Sequence, residues 1–225
     1  MVSGLSASQI ATELGTLGQE SQAVALMVEG ERRSRVQPEL SGGNRTLIDT
    51  IDGAVGAESV SETTARIADV LQRLVGREEI RLSDTLTRAR ADSYARRLLH
   101  RCPRTGYTVV VMTWGPGQQT ELHDHGGMWC VECVVHGELD IMQYDLVEEK
   151  GDRCRFDRRD VVRARVGDAG CLIPPFEYHV LRNALQDRPS VTLHVYAGEM
   201  DRCNLYLPHD EGWWTRTSQV LEYQD

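Results

Sequence analysis

The segment Trp114-Gly-Pro-Gly-Gln-Gln-Thr-Glu-Leu-His-Asp-His125 carries two histidines one residue apart, after a Gly/Pro turn and before an apolar run. Successive side chains of an extended chain alternate between two faces, so His123 and His125 point to the same side. Neutral imidazole nitrogens are common metal ligands. The segment therefore predicts part of a metal site, which needs at least one further donor from elsewhere in the chain.

Composition is typical of a globular chain that does not bind nucleic acid or membranes. With 225 residues, 40% of them hydrophobic and 26% charged, the chain can bury one core with a helical annex. A formal net charge of -9 argues against nucleic acid and anionic membrane surfaces as partners. No apolar stretch approaches the roughly 20 residues that cross a bilayer.

Six cysteines are spread along the chain without the spacing of a small disulfide-rich domain. The N-terminus lacks the basic and apolar regions of an export signal. Reduced thiols and a cytoplasmic location are therefore expected. The cysteines are Cys102, Cys130, Cys133, Cys154, Cys171 and Cys203.

Changes in hydrophobic pattern divide the chain into four parts. Residues 1–45 are polar and predict an N-terminal extension. Residues 46–85 carry apolar side chains at helical spacing and predict a helical annex of two amphipathic helices. Residues 86–210 predict a β domain that holds the metal site. Residues 211–225 predict a C-terminal tail packed over the outside or one rim.

Seven short apolar runs, separated by turns, predict strands, and the two on either side of His136-Gly137 are expected to pair as a hairpin. Many short strands at close spacing predict a mainly β sandwich or barrel. The runs are Tyr107–Trp114, Trp129–Val135, Glu138–Leu146, Val161–Val166, Gly170–Pro174, Tyr178–Arg182 and Val191–Ala197.

The residues around the histidine pair resemble the first cupin motif, in which a Gly leads to HxH, an acidic ligand and a second Gly. Gly117 and Gly137 take the glycine positions, and Cys130 stands where the acidic ligand usually lies. That replacement resembles the cysteine dioxygenase family, cupins that bind iron with three histidines and no carboxylate. The resemblance implies a cupin jelly-roll β-barrel with an N-terminal helical annex and a non-haem Fe(II) site.

A second stretch resembles the second cupin motif, which has a Pro, then a His, then an Asn four residues later. Here these are Pro174, His179 and Asn183, with Phe176 where the motif usually has Gly. The resemblance implies that His179 is the third metal ligand. Three other histidines lie in a turn or in polar loops and are expected to take no part in the site: His100, His136 and His209.

Thr192, His194 and Tyr196 share one face of a predicted strand that is otherwise apolar. Polar side chains buried without partners would cost several kcal/mol, so this line is either hydrated or functional. It resembles the catalytic Ser-His-Tyr relay of cysteine dioxygenases, with Thr192 in place of the serine. The resemblance further implies a thioether bond between Tyr196 and Cys130, although a free cysteine is most often a small buried hydrophobe.

Tyr94-Ala-Arg96 resembles the Tyr-x-Arg of cysteine dioxygenases, whose arginine binds the substrate carboxylate. A guanidinium matches a carboxylate with two parallel hydrogen bonds. Related mercaptopropionate dioxygenases carry glutamine at this place, so Arg96 favours cysteine as substrate. The neighbouring Arg97 leaves the register open by one residue.

The resemblance implies a monomeric enzyme that converts L-cysteine to cysteine sulfinic acid with Fe(II) and O2. The first alternative is dioxygenation of another small thiol, such as 3-mercaptopropionate, homocysteine or cysteamine. A second is a cupin that binds metal or ligand without turnover, as a sensor or scaffold. A third is a zinc or manganese cupin isomerase, for which Glu132, on the same strand face as Cys130, would supply the acidic ligand.

Overall fold

The computed structural model describes residues 42–225, so the N-terminal extension expected over residues 1–45 lies almost wholly outside the described part. Helix α1 spans Gly42–Ala54, α2 spans Val60–Gly76 and the short α3 spans Asp84–Thr87. Helix α2 begins after Ser59, whose side chain accepts a hydrogen bond from the N–H of Glu62 and so caps the helix. No helix within residues 42–225 is long and apolar enough to cross a membrane.

Strands make up most of the rest of the described chain and form two antiparallel sheets, which confirms the mainly β class. They are β1 Ala95–Arg101, β2 Thr108–Trp114, β3 Leu122–His123, β4 Cys130–His136, β5 Glu138–Lys150, β6 Arg153–Arg165, β7 Ala169–Leu172, β8 His179–Asn183, β9 Ser190–Tyr196, β10 Arg202–Pro208 and β11 Trp214–Val220. The first sheet has the order β1-β2-β9-β4-β7, and the other strands close into the ring β10-β11-β6-β5-β8-β3.

The predicted hairpin around His136-Gly137 is wrong. Strand β4 pairs with β7 and β9, whereas β5 pairs with β6 and β8, so the chain changes sheets at this corner. A turn between two apolar runs is compatible with either path, because the pattern along the chain does not say which strands pair. The segment 211–225, expected as a tail, contains β11, which pairs with β10 and β6.

The inner strands β2 and β9 of the five-stranded sheet are buried on both faces, and β9 shows how the faces differ. Val191, Leu193 and Val195 pack into the core formed with the helices. Tyr196 belongs to a second core, which lies between the five-stranded sheet and the ring of strands and is called the barrel interior below. Alternation along the strand places Thr192 on the same inner side as Tyr196. The helices thus cover one face, chiefly with Leu47, Ile51, Ile67, Leu71 and Leu74.

The corner between β4 and β5 depends on Gly137. Its φ is +78°, and an added Cβ would lie 2.2 Å from Ser190 Oγ and 2.9 Å from Ser190 Cα. Ser190 Oγ in turn accepts a hydrogen bond from the N–H of Glu138 at 3.0 Å and lies 2.8 Å from Asn183 Oδ1. A side chain at residue 137 would therefore meet both unfavourable backbone geometry and a neighbour that cannot easily move.

Replacement of this glycine tests that constraint. We expect Gly137→Ala to lower the free energy of unfolding by more than about 2 kcal/mol, since backbone strain and the clash with Ser190 add. The matched control is Gly151→Ala, where φ is +66° but nothing lies within 4 Å, so only strain of about 1 kcal/mol applies. Urea unfolding measures both variants; equal losses would contradict the close approach.

Candidate metal centre

The three histidines taken from the two motifs lie together in the barrel. His123 on β3 pairs directly with His179 on β8, and His125 follows β3. The ring centroids of His123 lie 5.3 Å from His125 and 4.7 Å from His179, and the last two are 5.0 Å apart. One nitrogen from each ring lies within 4.8 Å of the others, and all three residues are buried.

Contacts of the three rings show which nitrogens remain free. His123 Nδ1 lies 3.0 Å from the carbonyl oxygen of Glu121, which accepts its proton and leaves Nε2 for the centre. His125 Nδ1 lies 3.2 Å from Glu177 Oε2, but neither nitrogen of His125 makes a hydrogen bond among the described residues. Both nitrogens of His179 also lack a partner there. Leaving buried polar atoms unpaired costs about 1–3 kcal/mol each, so the cluster is suited to an additional group.

The charge state of the cluster suits a metal ion. Burial, together with the neighbouring His125, lowers the pKa of His123 to about 4. Burial likewise lowers the pKa of His179 well below its usual value. At neutral pH these two rings are therefore uncharged and have lone pairs to donate, which is the form that binds metal. The donor set fits a divalent transition metal.

Glu132 on β4 is a fourth group at the centre. Its Oε1 lies 3.5 Å from His179 Nε2 and 4.0 Å from His125 Nε2, and its side chain is 9% exposed. Burial raises the pKa of Glu132, but the neighbouring imidazole of His194, whose Nδ1 lies 3.2 Å from Oε1, contributes to a larger opposite effect, so the pKa lies below its ordinary value. An ionised carboxylate therefore lies beside the three histidines.

The polar line on β9 is hydrogen-bonded as a relay. The indole N–H of Trp114 donates to Thr192 Oγ1 at 3.0 Å, and the same oxygen lies 2.8 Å from His194 Nε2. Because the indole uses a lone pair of Thr192, the hydroxyl hydrogen is free to point to Nε2. This arrangement favours the His194 tautomer with its proton on Nδ1, which lies 3.4 Å from the Tyr196 hydroxyl and 3.2 Å from Glu132 Oε1.

Cys130 and Tyr196 are direct partners on the adjacent strands β4 and β9. Burial raises the pKa of the Cys130 thiol and of the Tyr196 phenol well above their usual values, so both keep their protons at neutral pH. Cys133 packs on the other face of β4, in the core with the helices. The two cysteines of the CxxC sequence are therefore separated by the sheet.

A cavity of about 240 Å³ opens beside the centre, lined among others by Tyr94, Arg96, His123, His194 and Tyr196. The guanidinium of Arg96 is oriented by a 3.0 Å hydrogen bond from Nη2 to the carbonyl oxygen of Met200, while its buried Nη1 has no partner among the described residues. A buried free donor of positive charge suits an anionic group.

Strand β1 explains why Arg96 and not Arg97 faces this cavity. Adjacent residues of a strand point to opposite sides. Arg97 Nη1 donates to the carbonyl oxygen of Leu86 at 3.2 Å, away from the cavity. On the cavity side, Tyr94 stacks on Trp114 with ring centroids 4.9 Å apart.

Two residues differ from expectation or were missed. His100 was expected in a polar loop, but it is buried on β1, because an Arg-rich strand has no apolar alternation to reveal it. Glu177 lies two residues before His179, and its Oε2 accepts the backbone N–H of His125 at 3.0 Å. Nothing in the local sequence pattern singles out this glutamate. His136 and His209 are exposed, as expected.

Comparisons with known proteins identify a family in which this chain has relatives. The family model of cysteine dioxygenase type I matches residues 58–208. Cysteine dioxygenase type 1 of Rattus norvegicus and of Homo sapiens are each 21% identical over 100 residues, which is 44% of this chain and 49% of those proteins. The matched region thus spans about half the length of these curated relatives.

A solved structure from Klebsiella pneumoniae, described as an uncharacterized conserved protein with a double-stranded β-helix domain, is 19% identical to this chain. The match has a TM-score of 0.40 and covers 61% of this chain and 97% of that one. The expected cupin fold with a helical N-terminal part is confirmed. With a family match over residues 58–208, the chain belongs to the cysteine dioxygenase type I family of cupins.

Proposed function

We propose that this protein is a thiol dioxygenase that uses Fe(II) and O2 to convert L-cysteine to cysteine sulfinic acid. The observation that carries the proposal is a single cavity lined by both His123 and Arg96, whose free Nη1 suits a carboxylate. Membership of the family supports the reaction class. In this reaction both atoms of O2 are joined to the substrate sulfur, so no further reductant is needed.

In this proposal His123, His125 and His179 hold the iron. Fe(II) would supply the redox chemistry between dioxygen and sulfur, which side chains alone cannot provide. Neutral imidazoles leave the positive charge of the ion undiminished, and a cation nearby stabilises a thiol in its thiolate form.

Arg96 binds the carboxylate of the substrate and so directs its thiol toward the histidines. The hydrogen bond to Met200 fixes the guanidinium, and Tyr94, which stacks on Trp114, lines the cavity. Holding the reacting groups in one orientation contributes a large part of the rate in such sites.

Tyr196 holds a proton next to the reacting sulfur. Its raised pKa keeps the phenol protonated, so that it can donate a hydrogen bond or a proton to oxygen. His194 and Thr192 position its hydroxyl through the relay. A thioether between Cys130 and Tyr196 would fix the phenol further, since these residues are direct partners across the strands.

Oxygen uptake tests the proposal. We expect the iron-loaded protein to consume one O2 per cysteine sulfinate formed from L-cysteine. Changing Arg96→Gln removes the partner of the carboxylate and should raise KM about 10- to 100-fold, as expected for a charge-assisted hydrogen bond. Arg97→Gln is the matched control on the same strand; it should lower stability and leave KM within about twofold of the parent. No uptake with any small thiol would contradict the function.

Metal content tests the ligand set separately. We expect His179→Ala to lose most of its iron after gel filtration, because two histidines remain where three converge. His136→Ala, at an exposed position, is the control and should retain the iron of the parent protein. Full iron occupancy in His179→Ala would show that this histidine is not a ligand.

A further inference from the structure

We propose that Glu132 is a fourth protein ligand of the metal ion, so that two positions instead of three remain for small molecules. The inference rests on the proposed function, because it concerns the same centre. A carboxylate ligand two residues beyond Cys130 would set this chain apart from the expected three-histidine site.

Distances place Glu132 Oε1 within reach of a shared ion. Metal–nitrogen and metal–oxygen bonds are about 2.0–2.2 Å, so two ligand atoms of one ion are at most about 4.4 Å apart. Oε1 lies 3.5 Å from His179 Nε2 and 4.0 Å from His125 Nε2, inside that limit. The carboxylate also forms, with His125 and Cys130, a second group whose ligand atoms lie within 4.8 Å of one another, and His125 is shared with the three-histidine group.

The atoms that converge at the centre are hydrogen-bond acceptors, which a cation would stabilise. His125 Nε2, His179 Nε2 and Glu132 Oε1 are buried, and none has a hydrogen-bond partner among residues 42–225. With the proton of His125 on Nδ1, which lies 3.2 Å from Glu177 Oε2, its Nε2 is an acceptor. Acceptors directed at one another repel, and a positive ion among them removes the repulsion.

His194 does not satisfy the carboxylate in the way an ion would. Its Nδ1 lies 3.2 Å from Glu132 Oε1, but Oε1 makes no hydrogen bond, so the two groups are not well aligned. The proximity still holds the carboxylate on the inner face of β4. The proton of His194 remains available to Tyr196, 3.4 Å away on the same strand.

A fourth protein ligand limits how a substrate can bind. On an ion with six coordination positions, three histidines and Glu132 would occupy four. A substrate that bound through both thiol and amine would fill the two that remain and leave none for a second reactant. The substrate is therefore held by its thiol and, through Arg96, by its carboxylate, while its amine is dispensable. The class is small thiol carboxylates, with or without an amine.

Cobalt binding to the metal-free full chain tests the ligand. We compare the parent protein with Glu132→Gln, which keeps the size of the side chain, and with Glu132→Leu. Both should weaken Co(II) binding by about 100-fold or more and shift the d–d absorption bands, because an oxygen ligand is lost. The matched control is Glu177→Gln, which removes the same charge behind His125. It should weaken Co(II) binding less and leave the bands in place.

Thermal unfolding separates ligation from a structural role. Metal-free Glu132→Gln should unfold at the same temperature as the metal-free parent or higher, because a buried charge is removed. The rise in Tm on adding Co(II) should shrink, since that rise follows the affinity. Unchanged d–d bands at full Co(II) occupancy in Glu132→Gln would overturn the proposal even if Glu132→Leu did not fold.

The substrate class is tested on the iron-loaded parent protein. We expect kcat/KM for 3-mercaptopropionate to lie within about tenfold of that for L-cysteine, whereas cysteamine, which has no carboxylate, is a poor substrate. Turnover of L-cysteine with none of 3-mercaptopropionate would show that the amine is required and overturn the two-position site. No turnover of any thiol would instead contradict the proposed function, whereas the Co(II) experiment would still test whether Glu132 is a ligand.

Discussion

Burial of both faces of one sheet is the constraint on which this structure depends. The five-stranded sheet has helices on one side and the barrel interior on the other, so its inner strands have different partners on their two faces. On β9 the side chains toward the helices are entirely apolar, and those on the inner face are Ser190, Thr192, His194 and Tyr196. A polar line can be kept inside because the helices supply most of the hydrophobic burial on the other side.

Period-two alternation is also the reason that much of the site could be predicted from the sequence. It places both histidines of the HxH pair on one face and aligns the polar side chains of β9. The family resemblance joined His179 to this set. Alternation is a local property, however, and it does not say which strands pair. The change of sheet at Gly137 therefore could not be predicted from the pattern along the chain. Strand β1 could not be predicted either, because its arginines interrupt the apolar alternation that identifies a strand.

The charges at the centre depend on three-dimensional proximity, which a linear pattern does not contain. Alternation already placed Glu132 on the inner face of β4, but only distances show that its carboxylate faces His179 and His194. Glu177 is a similar case, since it comes from a loop before β8 and acts on His125 from behind. The centre thus has a carboxylate on each side of the same imidazole, and Arg96 supplies a buried positive group at the adjoining cavity.

Trp114 contacts both the cavity wall and the relay. Its ring supports Tyr94 at the wall of the cavity, and its indole N–H holds Thr192 at the start of the relay. Tyr94 and Thr192 thus both depend on one fully buried side chain, and a change in the packing of the indole would reach the cavity wall and the relay together.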